Sequence, residues 1–166
     1  MSGTTQIVER LRGIPLFADF RDNTVALQKI AAICTTERAP AGRVVIREGE
    51  TGSSMYIVNT GAVEIHKRTR AGDEYTVVQL NAADNVFFGE LALIDDDRRS
   101  ATVITTRDSE FLVIAKEQFL ALGDQQPAIG LPVTRAIARI IAGRLRKTTA
   151  DMLTIFDALV EEVQGG

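Results

Sequence analysis

The chain has 166 residues, 45% of them hydrophobic and 25% charged, which suits a soluble globular protein with a core of its own and excludes disorder as its default state. Net charge is −3. The stretch before Pro132 holds 14 basic and 18 acidic residues and the remainder 5 and 4, so no basic domain for nucleic acid hides in the average. A single cysteine, Cys34, and a single histidine, His66, exclude disulfides within the chain and metal sites built from several cysteines or histidines. No signal-like segment and no apolar run of ~20 residues is present, so the reading is a cytoplasmic protein with no membrane and no nucleic acid as partner.

The first zone, 4–35, is helical with an interruption. Ile7, Val8 and Leu11 predict a short helix stopped by Gly13 and Pro15. Asp22 or Asn23 then caps a second, with Leu27, Ile30, Ala31 and Cys34 on one face; Cys34 reads as a small buried hydrophobe. Over 37–115 the period changes to two. Val44 and Ile46, Val63 and Ile65, Tyr75–Leu80, Ala101–Ile104 and Phe111–Ile114 read as short strands, punctuated by Ala41-Gly42, Gly49–Gly52, Thr60-Gly61, Ala71–Asp73 and Asn81–Asn85. His66 alternates with Val63 and Ile65 and so faces outward beside Glu64, with no special role. The third zone, 116–163, is helical again. It holds a short helix over 118–122 ending near Gly123, then a long one after Pro127 and Pro132 to about Val163. The expected fold is α+β and mainly β. It is an antiparallel β-roll or jelly-roll barrel with N-terminal helices, a short helix inside the cassette 87–103, and a long C-terminal helix, all one domain over 1–166.

Leu145, Thr148, Met152, Ile155 and Leu159 recur at spacings of three and four, a heptad seam with Phe156 beside it. The seam predicts a homodimer through the 133–163 helix. Charge along that helix is basic from Arg135 to Lys147 and acidic from Asp151 to Glu162, which gives no vote on parallel or antiparallel pairing.

The stretch 87–103, FFGELALIDDDRRSATV, differs from its surroundings. Gly89 opens a helix of about one and a half turns, Glu90 to Ile94, whose first N–H groups lack internal partners and form a site for one anion. Glycine there lets a ligand approach the main chain. Arg99 reaches the same anion with a two-pronged donor, and Ser100 adds a hydroxyl. Glu90, a carboxylate beside that anion, needs a donor from the ligand, and a sugar hydroxyl is the natural one. Together these residues suggest a sugar phosphate held inside a roll. Asp95, Asp96 and Asp97 add negative charge nearby, screened over ~8 Å if they face solvent.

Phe88-Gly-Glu-Leu-Ala-Leu93 with Arg99-Ser-Ala-Thr-Val103 resembles the phosphate-binding cassette of the cyclic-nucleotide-binding domains. That family includes the catabolite activators, the kinase regulatory subunits and the cyclic-nucleotide-gated channels. The likeness extends upstream through Gly49, Gly52, Met55–Val58, Gly61 and Val63–Ile65, and covers about residues 14–160. The resemblance implies a ligand, cyclic AMP in preference to cyclic GMP, and a set of residues that bind it. Phe88, Gly89, Leu91 and Ala92 form the cassette turn, and Gly89, Leu91 and Ala92 offer N–H groups near the phosphate and ribose. Glu90 accepts from the ribose 2′-hydroxyl, and Arg99 pairs with the phosphate. Ser100 contacts the phosphate and the purine edge, and Ala101 and Thr102 continue the strand. Arg144-Leu-Arg-Lys-Thr-Thr149 resembles the activators' dimer helix, which places Thr148 and Thr149 over the base, one of them acting across the dimer. Arg98 stands where many members have proline, adding a second cation near the anion.

The resemblance also implies a stand-alone, non-catalytic sensor that signals through its C-terminal helix to a separate effector protein. The alternatives are a cyclic GMP receptor and an interaction module that kept the fold and lost the ligand. An enzyme on a related roll needs two or more histidines at its mouth, and a DNA-binding regulator needs a reading module.

Overall fold

The computed structural model describes residues 3–96 and 98–164; Asp97 of the acidic loop lies outside them. Helix α1 (Gly3–Gly13) buries Val8 and Leu11, and a kinked 3₁₀ segment (Pro15–Phe20) turns the chain. Helix α2 (Thr24–Ala31) begins at Asn23, whose side chain accepts a hydrogen bond from Ala26 N–H at 3.0 Å. It ends at Ala31, so Cys34 does not share its apolar face as expected. Cys34 opens the first strand instead and donates its thiol to Ile30 O at 3.3 Å.

The strands are β1 (Cys34–Ala39), β2 (Val44–Ile46), β3 (Ser54–Thr60), β4 (Ala62–Arg68), β5 (Glu74–Asn81), β6 (Phe87–Phe88), β7 (Thr102–Thr105) and β8 (Ser109–Ala115). They form two antiparallel four-stranded sheets, ordered β1-β8-β3-β6 and β2-β7-β4-β5. The roll is therefore mainly β as expected, but it is not a closed barrel. The two-residue β6 ends one sheet and β5 ends the other, and no ladder among the described residues joins the two sheets.

Alternation along β3 and β8 explains how one sheet serves two cores. Met55, Ile57, Leu112 and Ile114 face the helices, packing with Leu11, Phe17, Leu27, Ile30 and Phe119. Val58, Phe111 and Val113 face the other sheet, packing with Val63, Phe88 and Val103. Strands buried on both faces read as continuous apolar runs, as Phe111–Ile114 does.

Helix α3 (Lys116–Gln125) leads to α4 (Pro127–Gln164). The long helix starts at Pro127, and Pro132 sits inside it, in its second turn, where only one intrahelical bond is lost. Ile129, Val133 and Ile137 are buried against the roll-side helices, whereas from Arg144 onward every described residue is exposed. The two helices meet at glycines: a Cβ on Gly130 would lie 2.5 Å from Gly123 Cα.

Candidate functional site

Strand β6 brings the cassette to the mouth of the roll and anchors it by Phe88. The Phe88 ring is 3% exposed, stacks on Tyr56 with centroids 5.2 Å apart, and meets Phe111 edge-on at 5.8 Å. With Phe88 fixed, the chain reverses at Gly89, whose φ of +73° is a left-handed conformation that glycine adopts without strain. A single 3₁₀ turn, Glu90–Leu93, follows. It is shorter than the helix expected from sequence, because Ile94 already leaves helical geometry. Within it Ala92 N–H donates to Gly89 O at 3.1 Å, so the turn is closed on itself at that residue.

The cassette strand returns antiparallel to the Gly49–Gly52 loop: Arg99 N–H donates to Glu50 O and Gly49 N–H to Arg99 O, both at 2.9 Å. The half-buried guanidinium of Arg99 donates Nη2 to Ser54 O at 2.7 Å and Nη1 to Gly89 O at 3.5 Å. Two glycines make room for it. A Cβ on Gly52 would lie 2.2 Å from Arg99 Nε, and one on Gly89 would lie 2.9 Å from Nη1. Burial lowers the Arg99 pKa, and the nearby Tyr56 acts in the opposite direction. A cation held by carbonyl oxygens in a partly desolvated mouth is a strong site for an anion.

Glu90 is 2% exposed, which is costly for a carboxylate without partners. Its Oε1 lies 2.5 Å from Arg144 Nη1 of α4, an ion pair. The angle is not that of a hydrogen bond, and Oε1 accepts none. The cassette carboxylate therefore keeps unused acceptor capacity inside the pocket, and its ionic partner among the described residues belongs to a different element.

A cavity of about 570 Å³ unites these groups. Gly89, Glu90, Leu91, Arg99, Ser100 and Ala101 line the cassette side, Ile65, Lys67, Val77 and Leu80 the roll side, and Arg144, Lys147, Thr148 and Asp151 the helix side. A smaller hollow of about 150 Å³ adjoins it, lined by Gly89–Ala92, Asp95, Arg98–Ser100 and Arg144. The residues expected from sequence divide accordingly. Gly89, Glu90, Leu91, Arg99, Ser100, Ala101 and Thr148 line the main cavity along with Phe88, and Ala92 lines the hollow. Thr102 is buried, its hydroxyl accepting from Glu48 N–H at 3.0 Å. Thr149 is exposed off the cavity and donates its hydroxyl to Leu145 O at 2.9 Å.

Lys67, Lys147, Asp151 and the Glu90 contact of Arg144 were not singled out from sequence. Arg144, Lys147, Thr148 and Asp151 stand at i, i+3, i+4 and i+7, so one polar helix face turned to the roll was the available signal. Arg98 donates Nη1 to Gly49 O at 2.8 Å, bracing the loop in place of a proline. Lys116, at the start of α3, pairs with Asp96 at 2.6 Å and ties the acidic loop to the helices.

The family profile described as cyclic nucleotide-binding domain matches residues 36–126, more than half of the chain, and the chain belongs to that family. It is 29% identical over 144 residues to the cyclic AMP receptor protein of Thermus thermophilus, covering 86% of this chain and 62% of that one. It is 34% identical over 110 residues to human cGMP-dependent protein kinase 2, 66% of this chain and 14% of the kinase. The crystal structure of the Thermus thermophilus catabolite activator protein matches with a TM-score of 0.71 and 28% identity over 83% of this chain and 61% of that one. A cyclic nucleotide-binding domain from Methylobacillus flagellatus has the same fold, with a TM-score of 0.75 and 23% identity over 90% of this chain and 82% of that one. The chain thus spans about three fifths of the length of the Thermus relative. Among the described residues, no helix is long and apolar enough to cross a membrane.

Proposed function

We propose that the chain is a cytoplasmic, non-catalytic receptor for a cyclic nucleotide, acting as one regulatory domain over its full length, with cyclic AMP preferred over cyclic GMP. The observation that carries this reading is the convergence on one cavity of a carbonyl-held arginine, a left-handed glycine turn and a buried carboxylate with spare acceptor capacity. In this reading Arg99 and the main chain at Gly89 and Leu91 take the cyclic phosphate, and Ser100 adds a hydroxyl. Glu90 accepts from the ribose 2′-hydroxyl, and Thr148 faces the base. The likeness to the cyclic AMP receptor protein of Thermus thermophilus favours cyclic AMP. The likeness to cGMP-dependent protein kinases and the Ser100 hydroxyl favour cyclic GMP as the second reading.

Signalling follows from the Glu90–Arg144 pair. A ribose hydroxyl that donates to Glu90 shares that carboxylate with Arg144, so occupancy of the cassette bears directly on the position of α4. A ligand shifts such an equilibrium only by its different affinity for two helix positions. Residues 133–163 would pair two copies through Leu145, Thr148, Met152, Ile155 and Leu159, with Thr149 reaching across, and output passes to a separate effector protein. Neither DNA nor a membrane has a part in this reading.

Equilibrium titration with cyclic AMP, cyclic GMP and linear 5′-AMP tests the proposal, on protein unfolded and refolded to remove carried-over nucleotide. Saturable binding of cyclic AMP at least tenfold tighter than of 5′-AMP is expected. No binding of either cyclic nucleotide would leave an interaction module that kept only the fold.

A further inference from the structure

Between Leu145 and Val163, α4 carries two apolar stripes. At 100° per residue Leu145, Thr148, Met152, Ile155 and Leu159 form the heptad seam, and Leu153, Phe156, Val160 and Val163 form a second stripe beside it; together they cover an arc of about 160°. A two-stranded seam is narrower, and the heptad places Leu153 and Val160 on the flank turned away from a second copy. Leu153, Phe156 and Val163 are 58%, 63% and 82% exposed. The outer edge of this stripe is acidic, formed by Asp157 and Glu161, and no lysine or arginine occurs after Lys147.

The acidic edge decides what can cover the stripe. Another copy's matching segment would bring carboxylates against carboxylates. An antiparallel copy could offer its basic part, Arg135 to Lys147, but there Ile137 is buried and Ile140 packed against its own domain, and Leu145 belongs to the seam, which leaves Ile141 alone to meet the stripe. We propose that Leu153, Phe156, Val160 and Val163, edged by Asp157 and Glu161, form the docking site for an amphipathic helix of a separate protein. The apolar stripe of that helix is bordered by lysine or arginine. The inference rests on the reading above, in which α4 delivers the signal to an effector, and it names that effector's chemistry.

The probes are two synthetic 21-residue helices with leucine at heptad positions a and d, one with lysine and one with glutamate at the flanking positions. Binding to the full chain is followed by fluorescence anisotropy. The lysine peptide is expected to bind saturably and at least tenfold more tightly than the glutamate peptide, with the difference shrinking in high salt. The Phe156→Ser/Val160→Ser chain should lose at least tenfold of that affinity. The Asp157→Lys/Glu161→Lys chain, altered only at exposed positions, should reverse the preference between peptides, which decides the matter should the serine variant not fold. Equal binding of the two peptides, or an unchanged preference after charge reversal, overturns the proposal. So does loss of self-association in the Phe156→Ser/Val160→Ser chain by sedimentation velocity, since the stripe would then be packing copies of this chain. Cyclic AMP titration of the same samples is independent of these readouts, so failure of the docking site and failure of the receptor reading are separable.

Discussion

At the residue scale the site depends on space as much as on charge. Gly52 holds no ligand in this account, yet a methyl group there would occupy the position of the Arg99 side chain. Gly52→Ala is expected to displace the guanidinium from Ser54 O and to weaken cyclic nucleotide binding by at least tenfold. Thermal stability should change little, because the clash is with a side-chain end; a binding titration beside a melting curve checks both. Glu90 gives a sharper test. A 2′-deoxy cyclic AMP should bind about 1.5–3 kcal/mol more weakly than cyclic AMP, the worth of a hydrogen bond to a charged group. In Glu90→Gln that difference should shrink, and equal discrimination in both proteins would remove Glu90 from the ribose. Burial pushes the Cys34 thiol up to about 12, so at pH 8 it is protonated. Since the thiolate is the reactive form, a disulfide reagent should leave Cys34 unmodified in the native protein and modify it on unfolding.

At the element scale, the hinge between α3 and α4 is a glycine crossing. Gly130→Ala places a Cβ 2.5 Å from Gly123 Cα. Overpacking costs about 1–3 kcal/mol, against about 1 kcal/mol gained in helix propensity, so the melting temperature is expected to fall. A rise would mean the helices part without cost. Much of the architecture was legible in the sequence because its periods are clean: two over Val63–His66 and 3.6 over α4. Strand β1 was not legible beyond its last residues, since Cys34–Ala39 carries mostly polar side chains and is held by its ladder to β8. Gly89, Glu90, Arg99 and Ser100 could be read from local spacing. The Arg144 contact could not, because nothing local says that a helix 54 positions further on folds back over Glu90. That the roll stays open could not be read, since alternation reveals strands but not whether the last one meets the first.

At the scale of the whole molecule, α4 borders the pocket as far as Asp151 and carries its seam uncovered: Leu145, Met152, Ile155 and Leu159 are 55–65% exposed. Sedimentation velocity is expected to find a dimer, and Ile155→Glu/Leu159→Glu a monomer that still binds cyclic nucleotide. A monomeric wild-type chain would mean that another protein covers the seam.

The proposed function stands on the Gly89–Ser100 cassette holding a cyclic phosphate through Arg99. Calorimetric titration of cyclic AMP into refolded wild-type protein and into Arg99→Ala, side by side, tests it most directly. Saturable binding to the wild type is expected, with a loss of about 2–5 kcal/mol in the variant, the cost of leaving a buried charge unpaired. Equal affinity of the two proteins would contradict it.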